Sequence, residues 1–427
     1  MGPGSRRLTL AHVLVLSLVF PPDSVSTAQI MGDLAVDLGR LGHRVSVLTT
    51  TPHYNRDPDA EARQPLRRTW GGVVARSHFG GAEVWHTVMP RKDASVPKRL
   101  AAWCLFHALS LVVGILALRR VDVILAPSPP LTIGVAAWLL GRWHRAPFIY
   151  NVQELYPDIA INLGAVRRPW LIRVLFALER FVYARAARIA VIAERMRQRL
   201  LEKGVPADRV VVIPNFVDTT ALEPVPAPNA FTREFGLQGR FLVSYAGNLG
   251  QAQGLETLLD AAALLRDESA IVLVLIGSGG LWDTLEARIA AERLDNVRLL
   301  PYLPFSRVPE IYGASQLSVV AQAASIGADA VPSKVYRIMA SRGVVLAATD
   351  DASDLARLVR EAGCGYVVPQ DAPAAIAAAI RLAFERRTEL PAMGEAGRAH
   401  MVTRYARPVV TAHYDALVRQ LAGERHT

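Results

Sequence analysis

Three loop segments carry side chains able to move a proton or hold a substrate hydroxyl. Pro21-Pro-Asp-Ser-Val-Ser26 offers Asp23 and Ser24, Pro52-His-Tyr54 offers His53, and Asn151-Val-Gln-Glu-Leu-Tyr-Pro-Asp158 offers Glu154. A carboxylate or imidazole in such a place can serve as general acid or base. Each segment follows a short apolar run, so each is expected at the carboxyl end of a strand, and the three should converge on one sheet edge. Glu154 and His53 are then the candidate catalytic groups, with Asp23 and Ser24 as substrate ligands. A lone His or Asp in a loop more often closes a turn. The shared position after strands is what distinguishes these. The chain has no His/Cys metal spacing, no G-x-S-x-G elbow and no P-loop.

A second set of segments suits an anion. In Tyr245-Ala-Gly-Asn-Leu-Gly-Gln-Ala-Gln-Gly254 an apolar run enters a Gly-rich turn and then a helix. Such a turn aims backbone N–H groups and a helix N-terminus at one point. Gly247 and Gly250 would let a phosphate approach, with Asn248 and Gln253 beside it. The spacing departs from G-x-G-x-x-G, which disfavours a nicotinamide dinucleotide. Gly277-Ser278-Gly-Gly280 repeats the device. In Pro332-Ser-Lys-Val-Tyr-Arg337, Ser333 is expected to cap a helix with Lys334 in its first turn. A cation there opposes the helix dipole, unless an anion such as a diphosphate is held at the helix start. Arg337, three residues on, shares that face.

These segments need a scaffold, and the chain reads as one strand–helix alternation followed by another. Strands are expected at 12–20, 45–50, 82–88, 121–126, 147–152, 187–192 and 210–213, with helices at 28–41, 98–118, 131–144, 168–184 and 194–203. After a Pro-rich, polar stretch, strands follow at 241–246, 272–276, 297–300, 317–320, 344–347 and 365–368. The helices between and after them are expected at 254–266, 281–292, 307–313, 333–342, 352–361 and 372–387, with a closing helical stretch at 394–422. The class is α/β: two doubly wound, Rossmann-like domains with a cleft at the carboxyl ends of their sheets. The expected division is 1–217, a linker at 218–235, a second domain at 236–400, and a C-terminal helix in 401–427 returning toward the first domain.

With 427 residues and 51% hydrophobic content, a disordered chain is excluded. The two cysteines, Cys104 and Cys364, cannot build a disulfide framework. Charge is uneven: residues 1–200 carry 26 Lys/Arg against 13 Asp/Glu, and the remainder 22 against 25. A basic first half can be drawn to an anionic membrane or to nucleic acid, but no aromatic-interleaved basic platform supports nucleic acid. Arg6-Arg7 and the apolar run Leu8–Phe20 have the form of a secretory signal. The rival reading, a buried first strand, fits the alternation better. Ala101–Leu118 carries no Asp, Glu, Lys or Arg, has His107 as its only titratable imidazole, and is flanked by Lys98-Arg99 and Arg119-Arg120. Its eighteen residues are at the lower limit for a span, and a span would put one basic pair on the wrong side. An interfacial helix with basic ends on anionic headgroups fits better; the alternative is an ordinary buried helix.

Jointly, several segments resemble family 4 glycosyltransferases of the GT-B fold, and more closely the O-antigen and colanic-acid subgroup of L-fucosamine or fucose transferases. The resemblance rests on Phe20-Pro-Pro22, Gly42-His-Arg-Val45, Gln153-Glu-Leu-Tyr-Pro157, Val212-Ile-Pro-Asn215, Tyr245-Ala-Gly-Asn-Leu-Gly250, Ile276-Gly-Ser-Gly279 and Pro332-Ser-Lys334, and covers nearly the whole chain. It implies a retaining hexosyl- or deoxyhexosyltransferase. The donor would be a UDP- or GDP-linked sugar, held by the second domain without metal or other cofactor. The acceptor would be a polyprenyl-diphosphate-linked glycan, held by the first domain at the cytoplasmic face of the plasma membrane. Pro304 and Phe305, with Gly277 and Ser278, would flank the nucleoside. Family members commonly carry Arg and Lys where this chain has Asn248 and Gln253. The family's two glutamates, eight residues apart, map to Asp329 and Arg337, with Lys334 as a replacement cation. The rival functions are a nucleotide-sugar 2-epimerase of similar plan and a catalytically silent membrane-surface protein.

Overall fold

The computed structural model describes residues 10–53, 58–90, 96–162, 164–321 and 331–424. The chain divides into two units, Met1–Asn215 together with Val410–Thr427, and Phe216–Val409.

The first unit is built on nine strands: β1 (His12–Leu16), β2 (Arg44–Thr50), β3 (Arg67–Thr69), β4 (Val74–Phe79), β5 (Ala82–Thr87), β6 (Val123–Ser128), β7 (Phe148–Val152), β8 (Arg188–Val191) and β9 (Val210–Val212). Their order is β3-β4-β5-β2-β1-β6-β7-β8-β9. The apolar run that has the form of a secretory signal is therefore the innermost strand, with Val13 in register with Val45 on one side and Val123 on the other. It ends at Leu16 rather than Phe20, where the Ser17 hydroxyl donates to the Val19 carbonyl at 2.6 Å and turns the chain. The antiparallel pair β3–β4 at the sheet edge escapes the sequence reading because Arg67-Arg-Thr69 carries no apolar signal.

The crossovers fix which face each helix covers. From β1 the chain crosses to β2 through helix Ser26–Arg40. From β5 it moves the other way, to β6, β7 and β8 in turn, through helices Val96–Leu116, Ile133–His144 and Pro169–Arg185. Right-handed crossovers running in opposite directions put their helices on opposite faces. Helix Val96–Leu116 lies along the protein rather than apart from it. Ala102, Phe106, Ser110 and Val113 are buried, and a Cβ on Gly114 would come within 2.5 Å of the Leu140 side chain.

The second unit carries six parallel strands: β10 (Phe241–Asn248), β11 (Ile271–Ser278), β12 (Val297–Leu300), β13 (Leu317–Ala321), β14 (Val345–Ala348) and β15 (Gly365–Val368). The order β12-β11-β10-β13-β14-β15 is doubly wound and reverses between β10 and β13, the position where such sheets bind ligands. Along β10, Phe241, Val243 and Tyr245 pack into one apolar layer and Leu242 into the other. A one-residue slip would exchange the two layers, so the register that places Gly247 at the strand end is set by burial on both faces.

Two boundaries differ from the sequence reading. The stretch expected as a linker, 218–235, belongs to the second unit. Leu222 and Phe231 are buried in its core, and Asn229 starts helix Ala230–Glu234 with a reciprocal capping box to Thr232. The closing helical stretch is two helices, Leu390–Arg404 and Arg407–Glu424. They separate at Tyr405-Ala406, where Ala406 bridges to Val217, and Pro408 suits the first turn of the second helix. Within the first unit the last helix is held by His43 Nε2 on Asp415 Oδ1 at 2.7 Å and by the Thr411 hydroxyl donating to Asp37 at 3.1 Å.

Candidate functional site

At the switch point of the second unit, the strand end of β10 meets the helix that follows β13. The ammonium of Lys334, in the first turn of helix Lys334–Ala340, lies 3.8 Å from the centroid of the Tyr245 ring. A Cβ on Gly247 would stand 2.9 Å from Lys334 Nζ, and Gly247 holds φ +151°. Nζ is buried and has no hydrogen-bond partner among the described residues, and burial pushes its pKa down to about 7. A buried ammonium without an acceptor is costly, and an anionic oxygen beside Gly247 would relieve that cost. The Tyr245 hydroxyl donates to the Asn248 carbonyl at 2.7 Å and fixes the turn. Asn248 and Gln253 face one another at 3.5 Å across the same turn.

The second Gly-rich turn supports the first. A Cβ on Gly277 would overlap the Gly247 carbonyl and one on Gly279 the Leu249 backbone, while Leu249 N–H donates to Ser278 O at 2.9 Å. Gly277 and Gly279 thus serve close backbone packing, and Ser278 is exposed at the strand end. Arg337 lies on the Lys334 face of its helix with its guanidinium 4.9 Å from the centroid of the Phe305 ring, beside exposed Pro304. Ser333 differs from expectation: it already has helical backbone angles, and its side chain makes no cap hydrogen bond. Asp329 lies outside the described residues. Gly247→Ala is expected to cost roughly 1–3 kcal/mol through backbone strain and displacement of Lys334, which a five- to hundredfold loss of nucleotide affinity in calorimetry would register.

In the first unit, Asp23 and His53 follow the adjacent strands β1 and β2 and make one cluster. Asp23 Oδ1 accepts the His53 backbone N–H at 3.0 Å, and Oδ2 stands 3.7 Å from His53 Nδ1. The Thr50 hydroxyl donates to Leu18 O at 3.0 Å, so it must accept from Nδ1 of His53 at 2.9 Å. That assigns the proton of a neutral ring to Nδ1 and leaves Nε2 as acceptor. Ser24 is exposed. Glu154 follows β7 at the same sheet edge, three strands from β2 and hence about 14 Å away across the sheet. The three loops therefore line one edge, yet Glu154 does not share the Asp23–His53 hydrogen bonds. Glu154 is half-buried, its carboxylate has no partner among the described residues, and burial pushes its pKa up.

The Glu154 loop is held by groups that spacing does not reveal. Asn215 Nδ2 donates to Gln153 Oε1 at 2.9 Å, Gln153 Nε2 donates to Asn151 Oδ1 at 2.6 Å, and Asn151 Nδ2 donates to the Tyr414 hydroxyl oxygen at 2.9 Å. Asn151, Gln153 and Tyr414 are buried. Tyr414→Phe strands the Asn151 amide, at an expected cost of about 1–3 kcal/mol, measurable as a lower urea midpoint with unchanged slope.

Comparison with known proteins bears on what these two sites serve. Residues 27–215 match the family described as "Glycosyl transferase 4-like domain", and residues 230–400 match "Glycosyl transferases group 1". The chain belongs to the family 4 glycosyltransferases. This glycosyltransferase is 25% identical over 382 residues to the colanic acid biosynthesis glycosyl transferase WcaI of Escherichia coli strain K12, covering 87% of this chain and 92% of that protein. It is 26% identical over 308 residues to the glycosyltransferase WbjE of Pseudomonas aeruginosa, covering 72% and 76%. Its GT-B fold is shared with Anabaena Alr3699/HepE, solved with UDP, at a TM-score of 0.71 and 16% identity over 96% of this chain and 100% of that one. WaaG, a lipopolysaccharide-biosynthesis glycosyltransferase, superposes at 0.65 with 13% identity over 95% and 99%. In this glycosyltransferase Asn248 and Gln253 occupy the Gly-rich turn beside the Lys334 ammonium, which lies against Gly247.

Proposed function

We propose that this glycosyltransferase moves a sugar, with retention of anomeric configuration, from a UDP- or GDP-linked donor to a polyprenyl-diphosphate-linked glycan during polysaccharide assembly. The observation that carries the donor half is the buried, unpartnered Lys334 ammonium against Gly247 and Tyr245. The donor diphosphate lies there, with Arg337 adding a second cation on the same helix face and Phe305 flanking the base. These groups stabilise the charge that develops on the leaving diphosphate, so the transfer needs no metal.

In the transfer, an acceptor hydroxyl oxygen bonds to the anomeric carbon. The bond from that carbon to the diphosphate oxygen breaks with its electron pair, and the hydroxyl proton passes to the leaving phosphate. Glu154 orients the incoming hydroxyl, and His53, held by Asp23 and Thr50, binds the acceptor or the transferred sugar. The likeness to WcaI, named for colanic acid biosynthesis, and to HepE, solved with UDP, supports a sugar-nucleotide chemistry in glycan assembly. The test is an assay with labelled UDP- and GDP-sugars and short-chain prenyl-diphosphate glycans, read by NMR. A product with the donor's anomeric configuration is expected. An inverted product or free 2-epimerised sugar contradicts the reading.

A further inference from the structure

We propose that the helices Val96–Leu116, Ile133–His144 and Pro169–Arg185 together form a docking face for an anionic bilayer surface, anchored by Trp143 and Trp170. This extends the lipid-linked-acceptor reading above and rests on it. The three helices cover one face of the first sheet, as the crossover direction requires, and pack side by side. His107 Nε2 reaches Thr132 Oγ1 at 2.8 Å, and the rings of Trp138 and Phe181 meet edge to face at 5.1 Å.

Their outward stripes are apolar. Leu116 is 71% exposed, Trp143 61% and Trp170 57%, and Leu105, Val112 and Val174 are exposed with them. In Ile133–His144 and Pro169–Arg185 the exposed apolar residues recur four apart, Leu139 with Trp143 and Trp170 with Val174, as on one face of a helix. Exposed large apolar side chains gathered on neighbouring helices mark an interaction surface.

Charge selects the partner. Across the three helices the sole carboxylate is Glu179, which is buried and paired with Lys203. Arg99, Arg142 and Arg173 are exposed among the apolar residues. Four of the seven tryptophans, Trp103, Trp138, Trp143 and Trp170, lie on these helices. Apolar stripes on helices that carry exposed cations and no exposed carboxylate, with amphipathic indoles among them, match an anionic headgroup interface. Helix Val96–Leu116 is long and apolar enough to cross a membrane by composition, but its buried stripe commits it to lying flat against the sheet.

The test uses the full chain with a polarity-sensitive dye on Cys104, which is exposed on this face while Cys364 is buried. The expected result is a blue shift and co-flotation with vesicles of phosphatidylglycerol and phosphatidylcholine, both weak with phosphatidylcholine alone. The double variants Trp143→Ser with Trp170→Ser, and Arg142→Glu with Arg173→Glu, should each lower vesicle affinity at least tenfold. Nucleotide affinity, titrated in the same samples, should not change. Vesicle affinity unmoved by either pair overturns the proposal, as does self-association that depends on the two tryptophans, since a second copy would then cover the face. Vesicle binding as expected with no nucleotide binding in the parent protein would instead overturn the donor reading alone.

Discussion

Lys334→Ala is expected to lower kcat/KM for the sugar nucleotide by about 10²–10³, roughly 3–4 kcal/mol of transition-state stabilisation, as for removal of a preorganised charge or donor at a leaving oxygen. The physical basis is the position of Nζ: buried, over the Tyr245 ring, against Gly247, with no acceptor among the described residues. The same residue sets a pH dependence. Burial lowers its pKa to about 7, so in the free protein the amine loses its proton as pH rises through neutrality. A bound diphosphate favours the ammonium and raises that pKa. Nucleotide affinity should therefore be highest below about pH 7 and decline above it. Binding near neutrality should take up on the order of half a proton, seen in calorimetry as an apparent enthalpy that varies with buffer ionisation enthalpy. The alanine variant should show no such uptake. Lys334→Arg should not restore activity, because the Gly247 contact leaves no room for a planar guanidinium.

Glu154→Gln is the second large expected effect. Because the carboxylate orients the acceptor hydroxyl in the proposed transfer, its loss should lower kcat by about 10²-fold and leave nucleotide affinity unchanged, since Glu154 belongs to the first unit and Lys334 to the second. Burial raises the Glu154 pKa, so the ionised form is lost at a higher pH than for an exposed glutamate. The acid limb of the pH–rate profile should move correspondingly and vanish in the variant. Steady-state kinetics with saturating donor separate this from a binding defect. Unchanged kcat in Glu154→Gln would remove the residue from the transfer step.

The meeting of Gly247 with Lys334 is partly legible because its signals are local. A strand running into Gly247 and Gly250, and a lysine opening a helix after a strand, need only a few residues of sequence. The role of Tyr245 is not, because an aromatic within an apolar run reads as core, and its contact with Lys334 exists only once β10 and β13 pair. Ser333 fits the residue preference of a cap, but the chain enters that helix already in the helical conformation, which removes the extended geometry a cap needs. The amide chain from Asn215 to Tyr414 joins positions up to 263 residues apart, and no periodicity announces it. The stretch at 218–235 has a linker's composition, yet Leu222 and Phe231 are single apolar residues spaced to fill one core. Sparse apolar residues in a Pro-rich segment carry no period by which burial could be read.

The central claim is that the second unit holds a nucleoside diphosphate at Lys334 and Gly247, and metal-free calorimetric titration of UDP, GDP and ADP tests it most directly. Saturable binding of one of the three, lost in Lys334→Ala and weakened in Gly247→Ala while the fold is retained, is the predicted result. No binding of any of them by the folded protein, or binding indifferent to both substitutions, would contradict the account.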